Sequence, residues 1–293
     1  MKRYRNRLFL AIASLLICVG VCLGGCGNAE EGETPDDSVI VNEQDGGQEN
    51  DIVTNINEDA LAEKLGVDGV TIIDVYGEAS EKEKKLAVAV TVDRPGEGVD
   101  VSNPGIVTYD IYDLAEGEPG PGKEPMQRIV VHEYYFSDEA PCHVEDYNFD
   151  GAKDFHLWLW AGAQNSEGRF FLWNETAGQF VESEALGRLT SPMAREELGV
   201  ILEHTHISGA EYEDQLYRWE GDALVLVRKI VQRMPGADAL QGEVYDWYDG
   251  NWEPMYERKI LLSEGEWGQE DYDKLEDLSR ELELYYDPEY YGL

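Results

Sequence analysis

The chain has 293 residues, with 23 Lys and Arg against 61 Asp and Glu, and a formal net charge of −38. That balance excludes a nucleic-acid binder, which needs basic charge to neutralise phosphates and release counterions. A charged fraction of 29% beside a single long apolar run excludes a polytopic membrane protein, while 42% hydrophobic and 11% aromatic residues suffice for a folded core.

Lys2, Arg3, Arg5 and Arg7 form a basic start, and residues 8–25 carry no charge. This order predicts a secretory signal over residues 1–25. The run ends Leu23-Gly24-Gly25-Cys26, which resembles the lipobox of bacterial lipoproteins. Small residues before the cut admit the peptidase, and the Cys26 thiol is the nucleophile that carries a thioether-linked diacylglycerol. The resemblance implies lipidation at Cys26 with palmitate-type acyl chains, a membrane partner through that anchor, and an extracytoplasmic position on the cell membrane. The alternative is an uncleaved signal anchor, with the same topology: basic start inside, acidic remainder outside. Cys18 and Cys22 leave with a cleaved signal, so Cys142 has no disulfide partner, which points toward a Gram-positive envelope.

Residues 26–56 are rich in Gly, Asn, Gln, Asp and Glu, with no Lys, Arg or aromatic residue. They predict a disordered acidic linker that holds the folded part away from the membrane. A short helix follows over 57–65, with Asn57 as its cap and Leu61 and Leu65 on one face. Residues 70–76, 86–92, 107–112 and 128–135 are β-branched or aromatic runs bounded by Gly, Pro, Asn or Asp, and predict strands. The Gly/Pro-rich stretch 116–122 reads as a long hairpin loop or a subdomain boundary. The domains expected are thus an N-terminal β subdomain over 57–120 and an aromatic-rich β domain over 121–293.

The second half repeats one unit. Phe171-Leu172-Trp173 leads through Gly178 to Phe180-Val181. Leu216-Tyr217-Arg218-Trp219 leads through Gly221 to residues 224–227. Val244-Tyr245-Asp246-Trp247 leads through Gly250 to Trp252. Each predicts a hairpin, with aromatic pairs across the strands. All seven Trp lie between residues 158 and 267, which places the main core there. Leu275, Leu278 and Leu282 fall on one face of an amphipathic helix over 269–285. The fold class expected is mainly β: an antiparallel meander of hairpins, as a sandwich or a small propeller-like array, with a short N-terminal and a C-terminal helix.

One motif carries chemistry. Residues 146–154 read D-x-N-x-D-G-x-x-D, with Asp146, Asn148 and Asp150 at alternate positions. Alternation puts three side-chain oxygens on one concave side, and Gly151 allows the sharp turn. The Ala152 carbonyl and Asp154 complete five oxygen ligands for Ca²⁺, a structural cofactor. Leu157 stands where an EF-hand has its bidentate Glu, and the flanks read as strands rather than helices. The loop resembles the calcium loops of FG-GAP and VCBS repeats. It resembles more closely a group of bacterial lipoproteins in which such a loop precedes W-N…F-V hairpins. The matching residues are Asp146 to Asp154, Trp173-Asn174 and Phe180-Val181. The resemblance implies a calcium-binding envelope lipoprotein, and some members of the group inhibit, or give immunity to, cell-wall hydrolases.

His204 and His206 share a strand face, which makes Zn²⁺ conceivable. With no third ligand at a recognisable spacing, they read as exposed strand histidines. Cys142 beside His143 reads as a small buried residue rather than a catalytic dyad. No nucleophile elbow or phosphate-binding Gly loop is present in the sequence. The function expected is a binding module whose partner is a protein or a cell-wall polymer. The alternatives are a hydrolase inhibitor or immunity protein and a glycan- or wall-acting enzyme.

Overall fold

The computed structural model describes residues 56–75, 84–94, 104–135, 141–162, 165–248, 250–263 and 266–290. The expected signal, Cys26 and the linker as far as residue 55 lie outside these residues. Among the described residues, no helix is long and apolar enough to cross a membrane.

The first helix, α1 (Glu58–Leu65), forms where the Asn57 cap predicts it. The Asn57 side chain accepts a hydrogen bond from the Ala60 N–H, and Gly66 ends the helix at φ 70°. Then come β1 (Gly69–Asp74), β2 (Lys85–Asp93), β3 (Gly105–Asp113) and β4 (Gln127–Tyr134). A second group follows: β5 (His143–Glu145), β6 (Asp154–Ala161), β7 (Ser166–Asn174) and β8 (Gln179–Glu182). After the short α2 (Glu184–Gly187) come β9 (Met193–Arg195), β10 (Val200–Ser208), β11 (Glu211–Glu220), β12 (Ala223–Gly236), β13 (Ala239–Tyr248) and β14 (Asn251–Leu261). The last helix is α3 (Gln269–Glu283). Each group is one antiparallel sheet with its strands in sequence order. The fold is therefore mainly β, and each sheet is a meander.

Faces are assigned by residue size and alternation. In β2, Leu86, Val88, Val90 and Val92 point toward the second sheet, while Ala87 and Ala89 point toward α1. Small residues on one face let the helix approach, and larger ones on the other fill the space between sheets. The first two sheets thus form a sandwich. Tyr109, Ile111 and Tyr134 meet Phe155, Leu157, Phe171 and Phe180 inside it. The opposite face of the second sheet, with Tyr147 and Phe170, packs against Leu186 of α2 and Ile201 of the third sheet. The six-stranded sheet is covered by α3, where Leu278 and Leu282 are fully buried with partly buried Leu275 beside them. Each fully buried leucine contributes about 1.5–3 kcal/mol.

The three expected hairpins are present. Trp173 pairs with Phe180, Trp219 with Leu224 and Trp247 with Trp252. Gly178, Gly221 and Gly250 take φ of 64°, 61° and 82°, a conformation that a side chain disfavours. The expected location of the core does not hold. The largest buried cluster draws as many side chains from β1–β4, which contain no Trp, as the sandwich needs on that side. Trp160, Trp247 and Trp252 are exposed. The stretch 116–122 is a connection inside one sheet, since β3 and β4 on either side of it are paired. Sheets divide after Tyr134 rather than at residue 120.

Candidate metal centre

The motif loop joins β5 to β6, as its strand-like flanks predicted. It lies where all three sheets meet. The Lys153 N–H donates to the Asp74 carbonyl of the first sheet. The Trp219 indole N–H of β11 donates to the Tyr147 carbonyl at 2.8 Å, and Lys153 Nζ pairs with Glu196 Oε1 at 2.8 Å. Gly151 takes φ 88° and Phe149 φ 60°, so the chain turns sharply at two adjacent points.

The candidate ligands divide into two groups. Asp146, Asn148 and Asp150 are bonded within the loop itself. Asp146 Oδ2 accepts the Gly151 N–H at 2.9 Å, while Asp146 Oδ1 is buried with no hydrogen-bond partner. Asp150 Oδ1 accepts the Ala152 N–H at 2.8 Å, and Asn148 Nδ2 donates to Asp150 Oδ2 at 2.8 Å. Ala152 is buried at the inner end of the loop. Asp154 is placed differently. It is fully buried, and its two oxygens accept the backbone N–H groups of Tyr147 and Trp173, both at 2.8 Å. It staples the loop to β7, which the motif alone did not reveal. Among the described residues, no three His, Cys, Asp or Glu side chains gather around one point as metal ligands.

The electrostatics follow from crowding. Burial raises the Asp146 carboxyl above its usual range, and the nearby Asp150 charge adds to this against the Gly151 hydrogen bond. Burial pushes Asp154 up to about 7, against the stabilising Trp173 and Tyr147 N–H groups, with Asp150 and Asp146 adding repulsion. An oxygen with no protein partner beside mutually repelling carboxylates suits a hard cation. Asp146 Oδ1 is the oxygen of this loop left without a protein partner. Asp154 holds the frame.

The histidines differ from expectation. His204 and His206 are half-buried rather than exposed. His204 Nδ1 lies 2.6 Å from Asp214 Oδ1, and Tyr286 Oη donates to Asp214 Oδ2 at 2.5 Å. His206 Nδ1 is buried without a partner, and burial with the neighbouring His204 lowers its pKa. Burial pushes the Cys142 thiol up to about 12, which favours its protonated form at neutral pH. His156 had no motif to mark it. Its sign in the sequence was an alternating strand, Phe155-His156-Leu157-Trp158, in which a lone imidazole occupies a covered face.

No known protein family matches the chain, and no curated protein does. Among solved structures, a Xanthomonas type IV secretion system related protein aligns with a TM-score of 0.40 and 11% identity, over 63% of this chain and 99% of that one.

Proposed function

We propose that this protein is a lipid-anchored, extracytoplasmic calcium-binding β-domain that acts as a binding module at the cell envelope, with a protein or wall polymer as its partner. The observation that carries the calcium reading is the buried, unpartnered Asp146 Oδ1 in a loop tied to all three sheets. A cation there neutralises the repelling carboxylates and braces the junction of the sheets. Its role in this reading is structural, because the loop is hydrogen-bonded to strands on either side of it. The anchoring reading rests on Cys26 and the residues before it.

Both parts have direct tests. Adding Ca²⁺ after chelation, at about 100 times its Kd, raises the melting temperature by about 5–10 °C. The Asp146→Ala/Asp150→Ala double variant abolishes that rise; an unchanged response removes the site. A Cys26→Ser chain leaves the membrane fraction, and one that stays there at unchanged size overturns the lipid anchor.

A further inference from the structure

The six-stranded sheet has two faces, and α3 covers one of them. Ile230 of β12 and Val244 of β13 pack there against Leu278 and Leu282. Their neighbours along each strand point the other way. Lys229, Val231 and Arg233 of β12 therefore share the opposite face with Glu243 and Tyr245 of β13 and Glu213 of β11. Together with Trp252 of β14 they line a hollow of 260 Å³. That is smaller than the pockets that enclose a drug-sized ligand. It suits one unit of a polymer that continues along the sheet.

The charges on this face are paired one to one. Lys229 Nζ lies 2.6 Å from Glu213 Oε2, and Arg233 Nη2 lies 2.8 Å from Glu243 Oε2. The Gln215 and Gln241 amides donate to the same two carboxylates at 2.9 and 3.2 Å. The residues lining the hollow thus carry no net charge, in a chain whose net charge is −38. Beside them, aromatic rings of a kind normally well buried stand in the open. Trp247 and Trp252 are directly opposed across β13 and β14, with ring centroids 5.0 Å apart and planes at 68°. They are 42% and 36% exposed. Trp247 is two residues from Tyr245 on β13, so the hollow runs on into the indole pair.

A ligand for this surface has to offer an apolar plane to the indoles and both donors and acceptors to the paired side chains, and bring no charge. A neutral sugar does all three. Its ring C–H groups form an apolar face, while its hydroxyls donate to carboxylates and accept from guanidinium, ammonium and amide N–H groups. An apolar protein segment would desolvate both ion pairs at a cost. A charged polymer would meet no unpaired counter-charge among the lining residues.

We propose that this face of the third sheet binds a neutral polysaccharide, with Trp252 and Trp247 as the stacking rings and the two ion pairs as the hydroxyl-binding groups. This names the partner of the binding module and rests on that reading, though on neither its calcium loop nor its lipid anchor.

The test is calorimetric and tryptophan-fluorescence titration of the full-length chain with chitohexaose, cellohexaose and mannohexaose, and with a polygalacturonate oligomer as the charged comparison. The expected result is saturable binding of at least one neutral oligomer, equal at low and high salt and tighter than that of polygalacturonate. Trp252→Ala, a change at an exposed residue, weakens it about tenfold, and Trp252→Phe, which keeps a ring, recovers part of the loss. Trp160→Ala, at an exposed indole of the second sheet, binds as the unaltered chain does. The proposal is overturned if no neutral oligomer binds, if polygalacturonate binds more tightly, if Trp252→Ala binds like the unaltered chain, or if Trp160→Ala loses as much. A chain that binds no sugar yet keeps its Ca²⁺ response and its place in the membrane fraction overturns this proposal alone, and leaves the module a protein partner.

Discussion

Between the first and second sheets, nearly every buried side chain is apolar, and the buried carboxylate Asp154 sits where the 146–154 loop joins β6. The six-stranded sheet buries Arg228, Asp214 and Gln232 among its strands, and Asp271 in the helix that covers it. Arg228 is the centre of that second region. Its guanidinium binds Asp246 through two nitrogens, at 2.6 and 3.0 Å. It also donates to the carbonyls of Tyr285, Asp287 and Tyr290 at 2.8–3.1 Å. The sandwich has two sheets to close one core. The third sheet has one 15-residue helix for that face, and a buried cation fixes the chain that follows. Apolar burial supplies stability without direction, whereas buried hydrogen bonds fix position and are costly when one partner is lost.

Two substitutions of similar size separate these modes. Phe155 contacts Tyr109, Phe171 and Phe180 with ring centroids 5.0, 5.0 and 4.9 Å apart. Phe155→Ala costs about 3–5 kcal/mol in urea unfolding and lowers hydrogen-exchange protection across both sheets. Arg228→Ala also costs about 3–5 kcal/mol, because it leaves Asp246 and three carbonyls unpaired. Its loss of protection concentrates at residues 284–290. Uniform loss from the arginine change would show that the third sheet is not a separate mode.

A smaller effect probes the helix contact. A Cβ added at Gly242 would lie 2.9 Å from Leu278 Cδ1 and 3.2 Å from Leu282 Cδ1 and Cδ2, so these buried leucines of α3 would have to shift. Gly242→Ala costs about 1–3 kcal/mol through overpacking. Leu278→Ala in the same chain removes the clash, and the pair shows a coupling of about 0.5–3 kcal/mol in a double-mutant cycle. Strict additivity would place the helix farther from the strand.

The smallest effect is a pH response. Asp271 accepts the N–H groups of Ser263 and Gly268, and these bonds hold its carboxyl below the usual range. A depressed folded value means the unfolded chain binds more protons. The stabilisation is therefore complete above the ordinary carboxylate pKa of about 3.8 and is lost as pH falls through the lower folded value. Helix signal at the start of α3 fades in that acid range, ahead of the aromatic signal of the sandwich. Asp271→Asn removes this acid-range fading and leaves the start of α3 weakened at every pH, and an unchanged acid profile would remove Asp271 as its cause.

Elements were legible wherever the signal was local. Asn57 capped its helix, the Leu275, Leu278 and Leu282 stripe found its sheet, and Trp173, Trp219 and Trp247 each ended a hairpin strand before a left-handed Gly. The loop was readable for the same reason, because Asp146, Asn148, Asp150 and Gly151 act within a few residues of one another. Asp154 was read as a ligand because the motif describes spacing alone. Trp173, whose N–H it binds, is 19 residues away.

The sequence by itself determined the strands, the hairpins, the two flanking helices and the acidic loop, since periodicity and turn chemistry act over a few residues. Tertiary structure decided which faces met and where polar groups ended up. It turned the half-buried His204 toward Asp214, buried Arg228 against a chain end about 60 residues away, and left His156 Nε2 and Asp146 Oδ1 without partners. Each depends on residues brought together only when sheets stack, because burial and partner choice are properties of the packed whole.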